Sequence, residues 1–418
     1  MSSEKPVSPL SAKELSEQQS EASTEPDMSS DIMGEKESMI STIMQEVYGV
    51  WSVENVASHQ FPKPLPKREA GEGILEQRRY LWTDAFGVLN YVTLARLACD
   101  APARRAAYLA SAHALIVSVH TTLGNERVET TGWFPMTKAD HGDALKPMFQ
   151  YKGLRIGKLH AREMSDTGMK YDGMYWHYLD TWLFALARYA TESKDDTVLQ
   201  QANMLIHDVH PAFFRPRAGM LWKVNVDLSP IAGGEYAVNM DDTLGAWLVY
   251  NIVAIAAGHR PGIVQVSKEI DETGRVLDDN FMTLRTREPT WDPLSFGMQA
   301  WKLQWLGPWA DAMRDTFYSG SNITNSLSAL DVSKGMQLPF RLYCGLLGAK
   351  LSGNDILTHH AEKVLDEITP KAMSELVGAS EHSAINKVTF AAALEPLAFA
   401  RQASTEDLLK LPTQYLTA

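Results

Sequence analysis

The chain has 418 residues, 45% of them hydrophobic and 22% charged, a balance that lets one large or two smaller domains bury a substantial core. Its formal net charge of −12 argues against nucleic acid or an anionic membrane surface as main partner, because both select basic patches. A small anionic molecule held by a few local Arg or Lys stays open.

Residues 1–34 are rich in Ser, Glu and Pro and hold no aromatic residue, the composition of a disordered tail. They contain no apolar stretch of signal-peptide type, so a cytoplasmic protein is expected. No segment reads as an uninterrupted membrane span. Cys99 and Cys344 lie in apolar helical surroundings and read as buried thiols, and the sequon at Asn322 has no expected role without export.

From there the pattern is helical. Residues 35–52 place Met39, Ile40, Ile43, Met44 and Val47 on one face, an amphipathic start to the fold. Thr83-Asp84 opens a helix that is apolar on most sides, and residues 102–122 make a small-residue helix with Pro102 in its first turn. Residues 123–170 look non-helical, with YKGLRIGK as a strand or hairpin in a long ordered insertion. A second all-apolar helix is predicted over 171–189, followed by a one-sided outer helix at 194–209 and a hairpin within 213–240. A third begins at Asp241-Asp242, residues 263–284 are amphipathic again, and three more apolar helices follow.

The all-apolar helices thus begin near residues 83, 172, 242, 296, 338 and 388, with amphipathic helices or loops between them. An inner ring buried on both sides and an outer ring with one wet face predict an all-α (α/α)6 toroid with short β-hairpin insertions, as a single catalytic domain over 35–410. An open solenoid or an irregular bundle are the competing architectures.

With this alternation, the stretches LWTDAFGVLNY, GLRIGK and YDGMYWHYLDTW resemble the six-hairpin glycosidase-like superfamily over about residues 36–402, and within it an uncharacterised microbial branch. Members include unsaturated glucuronyl hydrolases, glucosidases and, on a similar barrel, N-acylglucosamine 2-epimerases. The resemblance implies an enzyme with its site in the funnel at one end of the inner helices, acting on a glycoside, an unsaturated uronyl or a related sugar.

Candidate chemistry is therefore sought where inner helices begin. Asp84, Asp172 and the pair Asp241/Asp242 stand there, and each alone reads as a helix N-cap. Converging on one funnel they would repel, and one would stay protonated beside an ionised partner, as glycosidic acid–base chemistry requires. His177 is spaced to hydrogen-bond Asp180 and serve in proton transfer, or else to be a buried His satisfied by a neighbour. Tyr175 and Trp176 are expected to stack on a flat ligand or to be core. Arg155 and Lys158, with His141, Lys146 and Lys152, form a basic island suited to a carboxylate or phosphate, or a solvated loop. Trp222 and Lys223 are similar candidates, and Arg341, isolated in an apolar helix, needs a buried partner among the acids.

GxGxxG, P-loop, HExxH, CxxC and GxSxG patterns are absent, and His207/His210 end an outer helix, so no cofactor and no metal are expected. The expected partner is a small-molecule substrate, with no nucleic acid and no membrane, on a monomer or homodimer. Two other readings compete: an isomerase, cyclase or lyase tailoring a non-sugar secondary metabolite, and a non-catalytic binding or scaffold barrel.

Overall fold

The computed structural model describes residues 28–66, 78–126, 136–139, 150–158, 171–231, 237–258, 260, 262–286, 288–290, 292–332, 338–377 and 384–401. Its helices are α1 (Met28–Tyr48), α2 (Val53–Ala57), α3 (Leu81–Leu97), α4 (Pro102–Leu123), α5 (Trp176–Ser193), α6 (Asp196–Phe213), α7 (Met240–Ala257) and α8 (Ser267–Asp279). They continue as α9 (Phe281–Arg285), α10 (Pro293–Trp305), α11 (Asp311–Phe317), α12 (Gly320–Ala329), α13 (Pro339–Leu351), α14 (Asp355–Val377) and α15 (Ala384–Leu394).

Helix α3 shows what an inner position demands. Every one of its residues except Arg96 is buried, so no face is left for water. By contrast α8 buries only Glu269, Thr273, Gly274, Val276 and Leu277, one stripe of its surface. The buried helices α3, α5, α7, α10, α13 and α15 each pack on the next, and α15 returns to α3. Outside them α4 packs on α3, α6 on α5, α8 on α7, α12 on α10 and α14 on α13, while α1 covers α15 and α3. The ring is closed, and the fold is an (α/α)6 toroid.

The tightest inner contact is made backbone to backbone. A Cβ on Gly297 of α10 would lie 1.9 Å from the Cys344 carbonyl oxygen, and one on Gly348 of α13 would lie 2.2 Å from that of Gly297. Any side chain there would force the two helices apart.

One end of the ring axis is plugged. Phe399, after α15, packs its ring on Phe86, Phe184 and Trp301, from three different inner helices. The plug is tied down by Arg188 Nε donating to the Ala398 carbonyl at 2.8 Å and Trp305 Nε1 donating to that of Phe399 at 2.9 Å. Arg96, near the C-terminal end of α3, reaches Leu397 in the same way. The plug thus enters from the end where inner helices finish and reaches their middle at Phe86, Phe184 and Trp301, and the end where they begin is left for a funnel.

The strands decorate that end. β1 (Met174–Tyr175) pairs antiparallel with β4 (Lys223–Val224), and a second sheet runs in the order β2 (Phe214–Arg215), β3 (Gly219–Leu221), β5 (Val238–Asn239). β1 and β5 lead straight into α5 and α7. Residues 150–158 form no named strand. Instead Ile156 accepts from the Leu81 amide at 3.0 Å and donates to Gly173 at 2.7 Å, stitching the entries of α3 and α5 together.

Several expectations are corrected. Helix α1 begins at Met28, inside the expected tail, while residues 1–27 lie outside the described residues. Helix α5 begins at Trp176 rather than at residue 171, because 174–175 pair as a strand. Cys99 is exposed in the turn after α3, and only Cys344 is a buried thiol. Helix α4, of 22 residues, is long and apolar enough to cross a membrane by length and composition, against the expectation that no segment was. Here it is an outer helix lying on α3, with 39% of its apolar stretch buried.

Candidate active site

Two cavities adjoin at the end of the ring where inner helices begin, sharing Trp82, His177 and Leu294 as a common wall. The first, of about 250 Å³, receives Asp180 from α5, Asp241 and Asp242 from α7, and Gln299 and Lys302 from α10. Its remaining walls are mainly apolar, including Leu244, Leu284, Met298, Met313 and Phe317. The second, of about 440 Å³, is walled by aromatic rings, among them Tyr80, Tyr175, Tyr178, Trp222 and Phe340, with Lys158 and Arg341.

In the acidic cavity Lys302 Nζ donates to Asp180 Oδ2 at 2.6 Å, both side chains being almost wholly buried. Burial works to lower the Lys302 ammonium, but the charge and hydrogen bond of Asp180, with Asp242 and Asp241 nearby, outweigh it and hold the group above its usual range. Burial likewise pushes the Asp180 carboxyl up against the opposing pull of Lys302. Thr181 also donates to Asp180, at 3.1 Å. Asp241 accepts from Gln299 Nε2 at 2.8 Å, and its own amide is capped by Asn239 at 3.0 Å. Asp242, in the next position, is buried. The cavity thus gathers three carboxyl groups around one ammonium.

His177, partly buried, forms the wall between the cavities. Its ring stacks on Tyr175 at 5.4 Å and 15° and meets Tyr178 edge-on at 4.8 Å. Burial, then the positive charges of Lys302 and Lys158, lower its imidazole to about 3, so it is neutral at physiological pH. In the aromatic cavity Lys158 Nζ donates to the Tyr175 hydroxyl at 2.7 Å and lies over that ring at 4.8 Å. Burial lowers the Lys158 ammonium and raises the Tyr175 phenol.

The other expected residues stand elsewhere. None of the four acids is an N-cap: Tyr80, Tyr175 and Asn239 hold those positions on α3, α5 and α7. Asp84 lines neither cavity. Its carboxylate accepts from Tyr48 at 3.0 Å and from the Tyr80 amide at 3.2 Å, with Arg79 at 3.6 Å. Asp172 precedes α5 and accepts from the Gly157 amide at 2.9 Å, the Gly173 amide at 3.1 Å and Arg155 at 3.3 Å. Arg155 also bonds the carbonyls of Thr122 and Asn125, so both residues fasten the loop before α5 to the end of α4. Trp176 turns into the core against Phe213 and Tyr250, and Lys223 is buried, donating to the Tyr171 carbonyl at 2.6 Å. Arg341 finds its partner in Asp292, the N-cap of α10, and in none of the expected acids. Asp180 turns to Lys302, where a bond to His177 was expected. His141 and Lys146 lie outside the described residues.

Lys302, Gln299, Trp82 and Tyr178 are among the lining residues that sequence reasoning missed, and it singled out Asp180 only as a partner for His177. Lys302 carried the same signal as Arg341, a lone cation in an otherwise apolar inner helix. Among the described residues no His, Cys, Asp or Glu cluster has the arrangement of a metal site. His210 instead bonds Glu272 at 3.0 Å and Tyr250 at 3.2 Å.

No family model and no curated protein matches this chain. Among solved structures, it is similar to a sugar epimerase from a ruminal bacterium, with 12% sequence identity and a TM-score of 0.41 over 85% of this chain and 98% of that one.

Proposed function

We propose that this chain is an acid–base enzyme that moves a proton on a small sugar, with His177 as the proton acceptor and Lys302 as the stabiliser of developing negative charge. The observation that carries the reading is the place of His177 in the wall common to both cavities, with Lys302 lining one and Lys158 the other. A neutral imidazole can take a proton from a carbon beside a carbonyl, and a fixed ammonium nearby stabilises the enolate oxygen. Asp180 holds that ammonium in place, and Asp241 or Asp242 supplies a carboxyl for the return of the proton. Tyr175, Tyr178 and Trp222 offer ring faces against which a sugar can lie.

The apolar walls of the acidic cavity favour a second reading, proton transfer on a less polar metabolite with the same groups. Incubating the protein in D2O with a panel of reducing sugars separates the two. Solvent deuterium should enter one C–H position by NMR, and His177→Gln should abolish that entry while the fold survives by circular dichroism. If no sugar exchanges, or exchange persists in His177→Gln, the sugar reading is wrong.

A further inference from the structure

The two cavities differ in the charged groups that line them. The acidic cavity carries Asp180, Asp241 and Asp242 against Lys302. The aromatic cavity carries Lys158 and Arg341 and, among its described lining residues, no carboxylate. Two cations on one wall nonetheless give an anion a place to be held in a chain of net charge −12. The carboxylates that accompany these cations stand outside the lining: Asp292 bonds Arg341 and Asp172 lies near Lys158. The backbone adds to the effect, since the inner helices direct their N-terminal ends, with their positive partial charges, at this end of the ring.

We infer that the substrate is an organic anion, a sugar acid or a sugar phosphate, whose charged group lies in the aromatic cavity against Lys158 and Arg341 while its reacting carbon reaches His177. The inference rests on the proposed acid–base reading and deepens it. Arg341 gives Nε and Nη2 to Asp292, which fixes its plane and leaves the Nη1 edge for a ligand, and Lys158 adds a point charge; together they suit carboxylate or phosphate oxygens. The three carboxyl groups of the neighbouring cavity repel the same group, so the bound molecule has one orientation. Binding also bears on the base. Burial does most to keep the imidazole neutral, and an anion beside Lys158 offsets one of the two positive charges that add to it, so bound substrate moves His177 toward proton acceptance.

Calorimetric titration of the full chain with glucose, glucuronate, glucose 6-phosphate and inorganic phosphate tests this. At least one anionic sugar should bind about tenfold or more tightly than glucose, about 1.4 kcal/mol, and a rise in salt should weaken that anion alone. Preference for glucuronate assigns the site to a carboxylate; preference for glucose 6-phosphate, together with binding of inorganic phosphate, assigns it to a phosphate. Lys158→Met and Arg341→Gln should each erase the preference, and Lys158→Arg should keep it, which separates lost charge from lost fold. Equal affinity for charged and neutral sugars, no binding of any probe, or a preference that survives both neutral variants overturns the inference. The His177 reading is judged separately, by deuterium entry, so the two can fail independently.

Discussion

Lys302 meets Asp180 from an inner helix that is not its neighbour. Helix α7 lies between α5 and α10 in the ring, and the pair closes at 2.6 Å over its Gly245. Both charged groups are almost wholly buried, so each depends on the other for solvation. Lys302→Met should therefore cost about 3–5 kcal/mol in denaturant unfolding, by leaving the Asp180 carboxylate uncompensated. Adding Asp180→Leu should recover part of that loss. Equal stability of Lys302→Met and the parent would show the pair to be energetically idle.

Gly245 is what lets the pair form. A Cβ at this position would stand 2.5 Å from both Asp180 Oδ2 and Lys302 Nζ, closer than any real contact. In an exposed helix interior Gly→Ala gains roughly 1 kcal/mol from propensity. Here Gly245→Ala should lose stability instead, and should abolish deuterium exchange by shifting Lys302. A stabilised or unchanged Gly245→Ala protein would mean that the pair relaxes without strain.

Much of the ring was legible in the sequence, because all-round apolarity over a dozen residues is a local signal. Inner helices expected near 83, 242 and 338 begin at Leu81, Met240 and Pro339. The start of α5 was missed, since pairing of Met174–Tyr175 with Lys223–Val224 joins segments distant in sequence. The lining of the two candidate cavities was legible in halves for the same reason. Position at a helix entry identifies Asp241, Asp242 and His177, and chemistry in an ordered insertion identifies Lys158 and Trp222. Asp84 and Asp172 occupy equally good positions, but Tyr48, Arg79 and Arg155 claim their carboxylates. Nothing local distinguishes an acid aimed at a cavity from one whose partner arrives from another segment.

The plug at the far end of the ring should behave as core. Phe399 packs on Phe86, Phe184 and Trp301 and is 1% exposed. Phe399→Ala should cost about 3–5 kcal/mol by emptying the axis where three inner helices meet. The plug reaches the cavity wall at one remove, through Phe86 on Trp82 at 5.3 Å, so affinity of the folded variant for any ligand of the funnel should stay within about threefold of the parent, roughly 0.6 kcal/mol. Calorimetry below the melting temperature checks this. A large loss of affinity in a folded Phe399→Ala protein would mean that the two ends of the ring are coupled.

Acid should weaken the fold through His120. Its Nε2 accepts from the Trp182 indole N–H at 3.1 Å, a bond that needs the neutral ring. Burial, partly offset by a hydrogen bond from the ring to Gln201, lowers the folded imidazole to about 3, against about 6.5 in an unfolded chain. Between those values the unfolded state binds the extra proton, so stability rises with pH through this window. The contribution is fully present above about pH 6.5 and is lost as pH falls toward about 3, with a slope of up to about 1.4 kcal/mol per pH unit. His120→Gln keeps a side-chain acceptor for Trp182 and removes the titration. Unfolding free energies at pH 4, 5 and 6 should therefore show a slope smaller by up to about 1.4 kcal/mol per unit in the variant. An identical slope would mean that His120 is already protonated, or free to leave its pocket, in the native protein.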